Sequence, residues 1–142
     1  MKRVVIESPF KTVTFAVNDG QVELQEADNL RYARAACHDC LVNREEAPWG
    51  SHLLYPQEGI LRDDVPEERT HGILAGLAWS ECAEVCVVYI DRGITEGMRK
   101  YGIPGAEKKG QPIEYRRLGG EWEIPEFKDL TPDELAALPI VK

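Results

Sequence analysis

No stretch of the 142-residue chain approaches the ~20 consecutive apolar residues of a membrane-spanning helix, so no membrane partner is expected. Positive charge is also scarce: 17 Lys and Arg face 25 Asp and Glu, a net charge of −8. Such a surface repels a phosphate backbone, which argues against broad nucleic-acid binding. A small anionic ligand stays compatible, because a helix N-terminus and one or two Arg can hold it locally. The Gly-x-x-x-x-Gly-Lys-Ser/Thr, Gly-x-Gly-x-x-Gly and Gly-x-Ser-x-Gly signatures are all missing. Their absence argues against a P-loop enzyme, a dinucleotide dehydrogenase and an α/β-hydrolase.

Cysteine is limited to Cys37, Cys40, Cys82 and Cys86. The Cys-x-x-Cys and Cys-x-x-x-Cys spacings, with His38, His52 and His71 nearby, invite a zinc reading. Against it, Cys37 and Cys40 fall on the apolar stripe of a helix, and Cys86 lies inside an apolar strand. The Gly and Pro turns usual around zinc pairs are absent. The thiols are therefore read as small core residues, with no metal and no cofactor expected. The opening Met1 to Glu7 is too short in its apolar part for a signal peptide and reads as a strand, which gives a cytoplasmic expectation.

What is present suits one domain with an ordinary core, 43% of the residues being hydrophobic. Strand-like runs alternate with helical ones. Arg3 to Glu7 is a strand stopped by Ser8-Pro9. Thr12 to Val17 and Gln21 to Gln25 flank Asn18-Asp19-Gly20, a hairpin signal. A helix follows from an Asp28-Asn29 cap to about Asn43. Trp49 to Tyr55 reads as a short strand. A second helix starts at an Asp64 cap, with Pro66 in its first turn and Glu67 beyond, and carries Gly72 and Gly76 on one face. Val85 to Ile90 is an apolar strand ending in Asp91, and a helix runs from Thr95 to Lys109, kinked or split by Pro104. Gln111 to Leu118 is the last strand, and Thr131-Pro132-Asp133-Glu134 opens a capped helix.

This alternation predicts an α/β fold: a Rossmann-like or flavodoxin-like open parallel sheet of four to five strands, with helices on both faces. A hairpin at about 11–28 is inserted in a domain spanning 1–120. A tail, 121–142, docks on the domain or on a neighbouring subunit. Ligands of such sheets sit beyond the carboxyl ends of the strands. That rule draws attention to Asp91, a sugar-hydroxyl partner or base, and to Gly93, Thr95, Gly97 and Met98 at a helix start. It also draws in Ser8, Pro9 and Phe10 after the first strand. Ser51, His52 and Tyr55, and Glu67, Glu68 and Arg69 at a helix start, complete the candidates. Each also has a plain structural reading as a cap, a turn or a dipole partner.

The series Ser8-Pro9-Phe10, Asn29-Leu30-Arg31-Tyr32-Ala33-Arg34, Ser51-His52-Leu53-Leu54-Tyr55, Pro66-Glu67-Glu68-Arg69, Asp91-x-Gly93 and Gly97-Met98 resembles a family found in bacteriophages and their actinobacterial hosts. That family is similar in turn to the nucleoside 2-deoxyribosyltransferase superfamily. The resemblance implies a homodimer or larger homo-oligomer that binds a small-molecule nucleoside or nucleotide. It further implies cleavage or transfer of the N-glycosidic bond of a (deoxy)nucleoside monophosphate, with a glutamate attacking the anomeric carbon and an aspartate holding a sugar hydroxyl. Asp91 matches that aspartate. The glutamate is expected just after Met98 or a turn later, where Arg99 and Gly102 stand. Glu96, Glu67 or Glu68 is then the replacement, with Ser8, Pro9, Phe10, Ser51, His52, Tyr55, Arg69, Gly93, Thr95, Gly97 and Met98 around the substrate. Two other readings stand beside the enzyme: an inactive protein that sequesters a nucleotide signal or regulates a partner, and a structural assembly module.

Overall fold

Val4-Val5-Ile6 and Cys86 to Ile90 are apolar without alternation, the pattern of strands buried on both faces. In the computed structural model, which describes all 142 residues, they form the two central strands of a four-stranded parallel sheet. The strands are β1 (Lys2–Glu7), β4 (Glu46–Trp49), β5 (Val85–Tyr89) and β6 (Ile113–Arg116), in the order β4-β1-β5-β6. A separate antiparallel pair, β2 (Val13–Val17) and β3 (Gly20–Leu24), makes the hairpin, and Asn18 takes a positive φ of 54° at its turn.

The helices are α1 (Glu26–His38), α2 (Pro66–Ser80), α3 (Ile103–Lys108) and α4 (Pro132–Ala137). Val4, Ile6, Val87 and Tyr89 pack on Tyr32, Ala36 and Cys40 of α1 and its extension. Val5, Cys86 and Val88 face the other way, onto Phe15, Val17 and Leu24 of the hairpin, Ala106 of α3, and Phe127 and Leu135 of the tail. The tail thus belongs to the core of its own chain. Phe127 and Phe15 meet edge to face with centroids 5.5 Å apart, and Ala16 N–H donates to the Pro139 carbonyl at 2.9 Å. No helix is long and apolar enough to cross a membrane. The four cysteines are free thiols.

Several element boundaries differ from the sequence reading. Helix α1 starts at Glu26 with no side-chain cap. Asn29 is instead buried within its first turn, donating to the Phe10 and Lys11 carbonyls at 3.3 and 3.1 Å and accepting from Arg92 Nε at 3.0 Å. Its amide ties the loop after β1 to the turn after β5, a use that outweighs capping. Helix α2 starts after Val65, and Asp64, read as its cap, pairs instead with Arg62 at 3.1 Å. The segment expected as a strand at Trp49 to Tyr55 is a 3₁₀ turn at Ser51–Leu53; the strand is Glu46–Trp49 and includes Pro48. Proline is tolerated there because β4 is an edge strand. The helical run is in two pieces, as read: a wide π turn at Met98–Gly102 and then α3, with Pro104 in the first turn of α3, where its missing N–H costs least. The Thr131 cap forms as read: Glu134 N–H donates to Thr131 Oγ1 at 3.2 Å, and Thr131 N–H to Glu134 Oε1 at 3.0 Å.

Arg116 links the two edges of the sheet. Its guanidinium grips Glu46 with two bonds of 2.8 Å, the side chains being 3% and 11% exposed. Arg116 also donates to the Tyr89 hydroxyl at 3.2 Å, and that hydroxyl donates to Asp39 at 2.8 Å. The guanidinium holds the Glu46 carboxyl below its ordinary pKa. Removing one partner of such a pair leaves a buried charge. Arg116→Leu is therefore expected to destabilise the fold by about 3 kcal/mol, and Arg116→Leu with Glu46→Leu to recover most of that loss. Urea unfolding of the single and double variants checks both figures.

Candidate functional site

Chain order along the sheet determines where a cleft opens. From β1 the chain crosses to β4 on one side, and from β4 it returns past β1 to β5 on the other. Between the ends of β1 and β5 the connections therefore diverge, which is where ligands of open α/β sheets bind. A cavity of about 380 Å³ lies there, within the ~300–1,000 Å³ common for small-molecule sites. The segment after β1 and the 51–63 segment wall it, together with α2, the helix start at 95–102 and Ile140 of the tail.

Most of the sequence-predicted residues meet in this cavity: Ser8, Phe10, Ser51, His52, Tyr55, Glu68, Arg69, Thr95, Glu96, Gly97 and Met98 line it. Pro9, Asp91 and Gly93 do not. Pro9 is buried away from the cavity wall. Gly93 sits against the rings of Phe15 and Phe127, where an added Cβ would come within 3.1 and 3.2 Å of ring carbons. Asp91 is 2% exposed and off the cavity wall. It accepts from Tyr32 Oη at 2.6 Å, Leu118 N at 2.8 Å and Gly119 N at 2.9 Å. A carboxylate buried among those partners holds protein together and does not reach the cavity, so Asp91 does not fit the role the sequence suggested.

Of the three predicted glutamates, Glu96 and Glu68 line the cavity. Glu96 pairs with Lys100 at 2.9 Å and Lys142 at 3.4 Å, and these partners keep its carboxyl below the ordinary pKa. Glu68 accepts the Arg62 backbone N–H at 3.0 Å. Glu67 is not on the wall.

The carboxylate on the cavity floor is Glu7, the last residue of β1. It shares the sheet face of Val5, so a charged group occupies a core register. Burial pushes its pKa from 4.5 up to about 7, against the pull of Lys109, and no hydrogen bond stabilises its ionised form. It fits because residue 102 is glycine: a Cβ on Gly102 would overlap the Glu7 carboxylate. The sequence held one signal for Glu7, a lone acid in the inward alternation of a central strand. The glycine that accommodates it is 95 positions away.

Beside Glu7, Ser8 Oγ and His52 Nε2 lie 2.7 Å apart. Burial lowers the His52 pKa to about 4, so the imidazole is neutral at pH 7 and works as a hydrogen-bonding group rather than a cation. Helix α2 approaches closely through Gly76, where a Cβ would lie 2.8 Å from Ser51 Cβ. The glycine face of α2 thus serves the turn that carries Ser51 and His52.

Glu7 binds its proton more tightly folded than unfolded, so it costs nothing below pH 4.5, weighs increasingly against folding as pH rises from 4.5 to about 7, and exerts its full cost above that. The shift corresponds to about 3 kcal/mol when Glu7 is fully ionised. Glu7→Gln is expected to be more stable than the parent at pH 8.5 by up to that amount and equal to it at pH 4. Denaturant unfolding at the two pH values decides the matter; equal stabilities at pH 8.5 would remove the buried-acid description.

Neither curated proteins nor solved structures match the chain. A protein-family comparison does match, over residues 2–116, which run from β1 through β6 and leave out the tail with Ile140. The chain belongs to the family described as Domain of unknown function (DUF7768).

Proposed function

We propose that the cavity binds a nucleoside or nucleotide and that Glu7 acts on its N-glycosidic bond, by hydrolysis or by transfer to another base. The observation that carries this reading is the unpaired Glu7 carboxylate, with a pKa of about 7, on the floor of a cleft at the sheet's switch point. The resemblance to the nucleoside 2-deoxyribosyltransferase superfamily supports it. That chemistry asks for a glutamate from the helix after Met98, where this chain has Gly102. Glu7 fills the space above Gly102 from the strand side.

Ionised Glu7 attacks the anomeric carbon as the bond to the base nitrogen breaks. The electron pair leaves with the base, which takes a proton from water. Hydroxide or a second base then displaces Glu7 from the glycosyl ester and regenerates the carboxylate. Ser8 and His52 offer a neutral donor and acceptor to sugar hydroxyls. Phe10 and Tyr55 offer aromatic surface to the base. One observation favours a second reading, an inactive nucleotide-binding protein. Glycosidic chemistry commonly uses two carboxylates, and with Asp91 buried away from the cavity the floor has one.

The test is release of free base from a panel of (deoxy)nucleosides and their 5′-monophosphates. Release is expected, with a rate that climbs as pH rises through about 7 while Glu7 ionises. Glu7→Gln should lower it about 10³-fold or more while ligand binding persists. No base, with a nucleotide-dependent thermal shift retained, selects the binder instead.

A further inference from the structure

The cavity is electrically lopsided. Its floor holds the acid Glu7; Glu68 and Glu96 lie on its wall, and the only cationic side chains there, Lys11 and Arg69, stand together at one side. They come from separate parts of the chain, Lys11 from the segment after β1 and Arg69 from the first turns of α2. Both point at one carboxylate, Asp63: Lys11 Nζ lies 3.4 Å and Arg69 Nε 3.9 Å from its oxygens. These contacts are long for charge-assisted bonds, which run about 2.7–2.9 Å. Asp63 makes only these two ionic contacts, and its side chain is 18% exposed. Its loop, between the 3₁₀ turn and α2, thus keeps it between two cations by charge alone. Lys11 has a further partner, Glu26 at 3.6 Å, on the outer surface.

Two cations converging on a loosely held internal carboxylate are a site for an oxyanion with more oxygens and a higher charge. We propose that Lys11 and Arg69 form the subsite for the phosphate of a nucleoside 5′-monophosphate, and that Asp63 occupies it in the free protein until the ligand displaces it. The nucleoside half of this assignment rests on the function proposed above; the anion half rests on these three residues alone. The acid floor reinforces the orientation. Glu7 repels a phosphate and the Lys11–Arg69 side attracts it, so the sugar is left over Glu7. Both cations are about half exposed, so the attraction weakens at high salt.

The experiment is isothermal titration at low salt of the parent, Asp63→Asn, and Lys11→Met with Arg69→Met. The ligands are 2′-deoxynucleosides of four bases, their 5′-monophosphates, and inorganic phosphate. In the parent, monophosphates should bind about tenfold tighter than the matching nucleosides. Asp63→Asn should tighten monophosphates and inorganic phosphate several-fold and leave nucleosides unchanged. The double variant should bring monophosphates down to the nucleoside level. Nucleosides binding as well as monophosphates, with Asp63→Asn changing neither, overturns the subsite and leaves the nucleoside reading standing. Phosphate binding that Asp63→Asn strengthens, with no affinity for any nucleoside, keeps the subsite and overturns the nucleoside reading. Absence of all binding overturns the subsite. Circular dichroism identifies a variant that fails to fold, in which case the other variant decides.

Discussion

The carboxylate of Asp91 is the joint on which the ligand end of the sheet depends. It stands just past β5, where two pieces of chain bring three polar groups to it: the Tyr32 hydroxyl of α1 and the Leu118 and Gly119 N–H groups after β6. The Asp91 N–H returns a bond to the Tyr32 oxygen at 2.9 Å. Burial, with the Asp91 charge behind it, keeps the Tyr32 phenol well above its ordinary pKa, so it stays a donor. A buried carboxylate is tolerable only when its lone pairs are filled. Filling them from α1 and the β6 exit fixes where the turn after β5 points. That turn leads directly to the helix start on the cavity wall.

The cavity then depends on a mutual accommodation between β1 and the helical run after β5. Glu7 can face inward because Gly102 has no side chain. Gly102 closes a π turn ahead of Pro104, so the helix gives up regular hydrogen bonding at the level where Glu7 needs room. Glycine, a π turn and proline each weaken a helix. Their coincidence opposite Glu7 leaves the room its inward-facing carboxylate needs. The tail belongs to the same unit: Phe127 covers Phe15 and Gly93, and Ile140 lines the cavity.

Much of the frame was legible in the sequence. Apolar runs marked β1 and β5 as strands, Asn18-Asp19-Gly20 marked the hairpin, and Thr131 to Glu134 marked the capped helix, because each signal is local. What was misread depends on partners distant in sequence. The strand read at Trp49 to Tyr55 lies instead at Glu46–Trp49, since Arg116, 70 residues on, is what lets the acid Glu46 enter the strand's buried face. Asp28-Asn29 looked like a cap, since Arg92 and the 10–11 carbonyls that claim Asn29 lie elsewhere. Asp91 and Glu7 are the sharpest case. Both are acids ending a central strand of the sheet. One is sealed by backbone N–H groups after β6 and the other is left open by a glycine after β5. Local pattern holds neither fact, so the two carboxylates could not be told apart before the fold was known.

That difference also decides what kind of ligand part each region suits. Burial drives both titrating groups on the floor toward neutrality, Glu7 up to about 7 and His52 down to about 4. Near pH 7 the floor therefore carries at most one partly formed charge, beside a neutral imidazole and the Ser8 hydroxyl. Fixed charges, Lys11 with Asp63 and Arg69, and Glu96 with its lysines, lie farther out. A floor of weakly charged hydrogen-bonding groups suits neutral polar groups such as hydroxyls. A charged outer wall suits an ionic substituent on the same ligand. The division follows from desolvation, which drives charge out of the enclosed part of a cleft and leaves it at the mouth.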